Sequence, residues 1–178
     1  GTGPGPPRAP ERVPRRVWVL LAVAAGLIAG CAARQVRDGV FHSPKGYRLQ
    51  VPGPDWVQAP GSPADLELRH AAGGAAMMAH AVCGAPARRP APVLERQLLL
   101  GLRRRRVLAH GRATVGGLPA GHVLLEALAR GTAGPLRIEA YVVVGPECVY
   151  DLVYAAPPER FDERRPDFGR FVASFAVE

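Results

Sequence analysis

Few side chains in this sequence are of a type and spacing that could run a reaction. The serines are Ser43, Ser62 and Ser174, and none lies in the G-x-S-x-G turn that presents a hydrolase nucleophile. His42, His70, His80, His110 and His122 form no H-E-x-x-H and no close Cys/His spacing of the zinc type. His70 and His80 flank Gly73-Gly74, where a hairpin would set two imidazoles on neighbouring strands. With Asp151 they make the dispersed site that an envelope enzyme or metal binder would need, although surface or edge histidines are the simpler account. Asp55, Asp65, Glu126, Glu139 and Asp151 are scattered, with no pair at the spacing that general acid and base work requires. There is no C-x-x-C-H for haem and no G-x-x-x-x-G-K for phosphate. No catalytic residue, metal or cofactor is therefore expected.

The charge is concentrated in one run, Arg103 to Arg106. A helix ending near Leu102 would give these cations a favourable place at its negative end, about 0.3–1 kcal/mol each. The functional alternative is contact with lipid phosphates or an acidic partner. The formal net charge of +8 is weak evidence for a nucleic-acid partner: Lys45 is the lone lysine among the 23 basic residues, and the Ala, Gly, Pro and Arg richness reads as codon bias.

The elements that must position these groups are short alternating runs divided by Gly and Pro. Tyr47 to Val51 alternates with period two, Asp65 to His70 and Ala75 to Cys83 form a hairpin about Gly73-Gly74, and a Pro-rich loop follows from Ala85 to Pro92. Val93 to Leu102 carries Leu94, Leu98 and Leu102 at i, i+4, i+8, the spacing of a packed helix. Three more strands are expected at Val107 to Val115, Gly121 to Ala129 and Leu136 to Val144. In the last of these Leu136, Ile138, Ala140 and Val142 share one face, with Arg137, Glu139 and Tyr141 on the other. A strand from Cys148 to Ala155 precedes a closing helix from about Pro166, with Phe168, Phe171, Val172 and Phe175 at i, i+3, i+4, i+7. The sum is a single α+β domain over residues 41–178: an antiparallel sheet of about six or seven strands, one inserted helix and one C-terminal helix.

Ahead of that domain, Arg12, Arg15 and Arg16 precede an apolar run from Val17 to Gly30, 14 residues long. Crossing a bilayer takes about 20 apolar residues, so the layout is that of a signal peptide over residues 1–30. The run ends Ile28-Ala29-Gly30-Cys31, which resembles the lipobox of bacterial lipoproteins: an aliphatic residue and two small ones before an obligatory cysteine. The resemblance implies that signal peptidase recognises these residues, that Cys31 takes a diacylglyceryl group, and that the chain is cut before it. Two or three chains at about 0.8 kcal/mol per buried methylene anchor stably where one is marginal. Residues 31–40 are then a lipidated tether whose last nine residues reach about 30 Å at most. Ala32 in place of Asp favours the periplasmic face of the outer membrane over the inner membrane under the enterobacterial rule. Removing residues 1–30 leaves 19 basic and 14 acidic residues, a net charge of +5.

With Cys31 assigned to lipid, Cys83 and Cys148 remain as an even pair in an oxidising compartment. They either form a disulfide, closing a loop of about 65 residues worth roughly 4 kcal/mol, or stand as two buried thiols.

The domain's opening, Gly46-Tyr47-x-Leu49-x-Val51-Pro52-x-x-x-Trp56, and its ending, Phe168-x-x-Phe171-x-Ala173-Ser174-Phe175, resemble the start and finish of PsbP/Mog1-like domains. That likeness, spanning 41–177, implies docking or accessory roles. The expectation is a lipid-anchored envelope protein that binds membrane through Cys31 and docks a protein or small ligand without catalysis.

Overall fold

The computed structural model describes residues 36–88, 101–129 and 131–178. Among them eleven strands form two antiparallel sheets. Four short strands, β1 (Val36–Arg37), β2 (Val40–Ser43), β3 (Tyr47–Gln50) and the C-terminal β11 (Ala176–Val177), make one sheet in the order β1-β2-β3-β11. The other holds β4 (Trp56–Gln58), β5 (Leu66–His70), β6 (Ala76–Cys83), β7 (Arg103–Val115), β8 (Leu118–Leu128), β9 (Leu136–Val144) and β10 (Cys148–Ala156), in the order β4-β5-β6-β10-β9-β8-β7. One α-helix, α1 (Phe161–Ala173), follows β10.

A single sheet of six or seven strands thus becomes a sheet of seven and a second of four. The strands missing from the sequence reading are β1, β2, β4 and β11, each of two to four residues. Runs that short show no period of their own, and only pairing with a neighbour makes them strands. Helix α1 begins at Phe161, five residues before the Pro166 expected to open it, and Pro166 lies inside it. Asp162 and Glu163 sit in its first turn, where carboxylates suit the positive end of the helix dipole. The expected inserted helix falls, through residue 100, outside the described residues; Leu102, its last residue, lies in the non-helical lead-in to β7.

Directly paired residues point to the same side of a sheet, so the register assigns two faces to the large sheet. Tyr150, Leu152 and Tyr154 of β10 share the helix-facing side with Val143, Tyr141 and Glu139 of β9 and with Ala81, Ala79 and Met77 of β6. This side carries the main core, in which Phe161, Phe168 and Phe171 of α1 are buried with Phe41, Tyr47 and Leu49 of the small sheet. Tyr150 meets Tyr47 at 5.3 Å and Phe175 at 5.0 Å between ring centroids, which seats the small sheet on the large one. Gly116, in the β7–β8 turn, has φ +56 and lies so close to Phe175 that a Cβ would clash at 2.8 Å, so the turn admits no larger residue.

The opposite side is also apolar. Val123, Leu125, Ala127, Ile138 and Ala140 form a buried cluster against which Leu102 packs, and Val142 and Val149 are buried with Ala87. Both faces of β9 are therefore used for burial, unlike the one-sided strand that its alternation predicts.

Candidate functional site

A polar cluster lies on the helix-facing side, where β8, β9 and α1 each contribute. Glu139 stands mid-strand on β9, and its side chain is 5% exposed. Strand pairing puts His122 of β8 next but one to it, opposite Tyr141. Arg165 reaches it from α1. Arg165 donates through Nε to Oε2 at 2.8 Å and through Nη2 to Oε1 at 3.0 Å. His122 Nε2 donates to Oε1 at 2.9 Å, which places the ring proton of this bond on Nε2. Burial raises the Glu139 carboxyl, but the bonds from Arg165 and His122 outweigh it and hold the group below the usual carboxylate range. The same contact holds the Arg165 guanidinium above its usual value.

Tyr141 completes the cluster. Its ring lies 4.6 Å from the His122 ring and 6.0 Å from Phe168. Burial, followed by the charge of Glu139, raises its phenol. The hydroxyls of Tyr47 and Tyr154 bond to Asp65 and to the Phe161 carbonyl. A second bridge continues the belt: Glu126 accepts from Arg106 Nη2 at 2.6 Å and from Arg137 Nη2 at 2.8 Å. Arg137 and Arg165 then share the face of Phe161, at 5.6 and 6.0 Å. Three arginines thus stand with two carboxylates, and Asp162, whose charge also acts on Arg165, makes a third.

The sequence named His122, Glu126 and Glu139 only as isolated groups and missed Arg165. The available signal was a carboxylate in the middle of an otherwise apolar strand. Its partners, 17 residues back and 26 forward, are invisible to any local pattern.

The dispersed site built from His70, His80 and Asp151 does not assemble. His70 shares the helix-facing side with Trp56, whose ring it meets at 5.2 Å, whereas His80 points to the opposite side beside Asp151. In the β5–β6 register Leu66 opposes Ala79, so His70 and His80 lie at opposite ends of the hairpin and on opposite faces. They cannot share a metal. Asp151 is directly opposite His80, but no hydrogen bond joins it to any described residue, and burial alone pushes its carboxyl up to about 6. His70, 6% exposed, accepts the Ala72 N–H on Nδ1 and lines an open crevice of about 370 Å³ with Arg69, Leu136, Ala155 and Pro157. His42 bonds Glu178 at 3.0 Å at the surface.

Arg103 to Arg106 are corrected as well. They open the edge strand β7, which the sequence reading began only at Val107; Gly101 and Leu102 before them are not helical, and the rest of the expected helix lies outside the described residues. Register shifts interrupt this stretch, and Arg104 has φ +51. Charges and bulges on an edge strand discourage pairing with another chain.

The serines have structural work. Ser62 Oγ donates to Glu67 at 2.6 Å, Ser174 Oγ donates to the Phe171 carbonyl at 2.7 Å, and Ser43 Oγ accepts the Lys45 N–H. Asp65 collects the Tyr47 hydroxyl, the Ala81 N–H and Lys45 where the two sheets meet. Trp56 is 5% exposed and donates its indole N–H to Asp167 at 2.9 Å, so it belongs to the core.

Cys83 and Cys148 are bonded, directly opposed across β6 and β10 and 65 residues apart in sequence. Gly84 N–H donates to the Glu147 carbonyl just beyond them, so the cysteines occupy a non-hydrogen-bonded position, where strands approach closely. Ile28, Ala29, Gly30 and Cys31 lie outside the described residues.

No family model matches the chain, and no curated protein matches its sequence. Solved structures do. LpqN, described as involved in cell envelope biogenesis of Mycobacterium tuberculosis, superposes with TM-score 0.59 at 16% identity, over 83% of this chain and 96% of its own. The cyanobacterial PsbP protein CyanoP of Synechocystis superposes with TM-score 0.57 at 13% identity, over 80% of this chain and 95% of its own. At such identities the likeness concerns the backbone alone, and the fold of this chain is PsbP-like.

Proposed function

We propose that this chain is a lipid-anchored protein of the cell envelope whose domain is a non-catalytic binding or accessory module. Residues 1–30 serve as a lipoprotein signal peptide, Cys31 carries the lipid, and the domain is held at the periplasmic face of the outer membrane. The carrying observation is Ile28-Ala29-Gly30-Cys31 at the end of a 14-residue apolar run. Strand β1 begins at Val36, five residues past Cys31, so the linker spans about 17 Å at most. The domain would then work close to its leaflet. The envelope role named for LpqN, which shares the backbone, agrees with this address. A site of His70, His80 and Asp151 is not carried forward, because the sheet separates the two histidines.

Mass spectrometry of the N terminus of the membrane-extracted protein tests the reading. A diacylglyceryl-cysteine at residue 31 is the expected result, with Cys31→Ser accumulating as uncut precursor. A Cys31→Ser protein still cut and still extracted only by detergent would overturn it.

A further inference from the structure

The His122–Glu139–Arg165 cluster does more than join α1 to the sheet, because its polar atoms are only half used. Glu139 is held from two sides: Arg165 and His122 supply three hydrogen bonds to its two oxygens. The atoms left over belong to the groups it holds. They are the second terminal nitrogen of Arg165, Nδ1 of His122 and the hydroxyl of Tyr141, none engaged by a described residue. The Arg165 side chain is 46% exposed and that of His122 21%. A buried carboxylate thus fixes the orientation of a guanidinium and an imidazole that both reach water.

Space beside these atoms is kept open by two glycines that the backbone does not require. Gly111 of β7 pairs directly with His122, so a side chain there would stand on the same face beside the imidazole. Its neighbours on that face of β7 are Ala109 and Ala113. Gly169 lies four residues after Arg165 on α1, one turn along the same stripe. Neither has a positive φ, and a Cβ at either would meet nothing within 4 Å. Glycine inside a helix or strand destabilises by about 0.5–1 kcal/mol relative to alanine. In a strand it also marks places where a ligand or backbone approaches closely. These two residues incur that cost with no turn and no packing contact in return.

We propose that this shelf is a binding site for a small organic anion, a carboxylate or a phosphate. The acid group is held by Arg165 and the Tyr141 hydroxyl beside the His122 ring, and the ligand's body lies over Gly111. The Arg165 guanidinium, with terminal N–H donors that Glu139 leaves unused, suits the oxygens of such an acid group. This gives a ligand class to the binding role proposed above and rests on that role alone. Anchoring at Cys31 and anion binding at His122 fail separately.

The test uses the full chain, extracted in detergent, titrated in parallel with inorganic phosphate and with benzoate while the imidazole resonances are followed by NMR. The expected result is a saturable shift of the His122 resonances by at least one probe. Gly111→Val, which fills the shelf without touching the ion pairs, should abolish it, and Arg165→Gln should weaken binding about ten-fold or more. Which probe saturates identifies the acid group. If Arg165→Gln impairs folding, Gly169→Leu replaces it and should also block binding. No saturable shift with either probe overturns the proposal, as does a shift that survives both Gly111→Val and the second variant, because a purely structural cluster is indifferent to a filled shelf.

Discussion

Glu139 on β9 and Asp151 on β10 are carboxylates on adjacent central strands, and they face opposite sides of one sheet. Glu139 is the less exposed of the two, and Arg165 and His122 hold its pKa below the ordinary range. Asp151 has Val142 on one neighbouring strand and His80 on the other, no hydrogen bond to a described residue, and a carboxyl pushed up to about 6. Burial alone therefore says little about a charge; the partners delivered by the facing element decide. Helix α1 delivers Arg165 and the neighbouring strand β8 delivers His122.

Four perturbations would break or sharpen this contrast. The largest effect is expected where the helix-facing side is stapled. Reducing the Cys83–Cys148 bond, which closes a 65-residue separation, should lower unfolding free energy by up to about 4 kcal/mol, read from urea midpoints of oxidised and reduced protein. A loss below about 1 kcal/mol would mean that pairing of β6 with β10 already restrains the unfolded chain.

Next, Arg165→Leu strips Glu139 of its main partner. Removing one member of a buried pair costs about 3–5 kcal/mol, but Arg165 is half exposed and water replaces part of its contribution, so about 2 kcal/mol is expected. The double variant Arg165→Leu with Glu139→Leu should recover much of the loss. Failure to recover would show that the Arg165 stem, packed near Phe161, mattered more than its charge.

On the opposite side the sign reverses. Between about pH 4 and 6 folded Asp151 keeps a proton that the unfolded chain has released, so its contribution to stability improves as pH falls through that window and is worst when it is ionised. Asp151→Asn should therefore stabilise the protein at pH 7, by about 1–2 kcal/mol, with the gain gone near pH 4. Thermal melts of the two proteins across that range check it, and an equal gain at both pH values would assign the effect to packing. The smallest change expected is Trp56→Phe, which deletes the indole bond to Asp167 on the far flank of α1 and should cost about 1 kcal/mol at all pH values.

The sequence by itself was enough for what is local. Alternation located β9 at Leu136–Val144 without error and β10 to within a residue, and the Gly73-Gly74 break located β5 and β6 as closely. The phenylalanine spacing announced α1, though Pro166 misdirected its start, because a proline is as ready to open a helix as to sit inside one that tertiary packing holds. The cysteine count left the Cys83–Cys148 bond as one of two outcomes.

Only the tertiary structure decided what depends on register and on facing layers. It put His70 and His80 on different faces, placed Arg103–Arg106 in an edge strand, and gathered His122, Glu139 and Arg165 from three elements. Periodicity tells a side chain which of two sides to take, but not what waits there. That is settled by non-local pairing, and here it made one buried carboxylate the anchor of a polar cluster and left the other without a partner among the described residues.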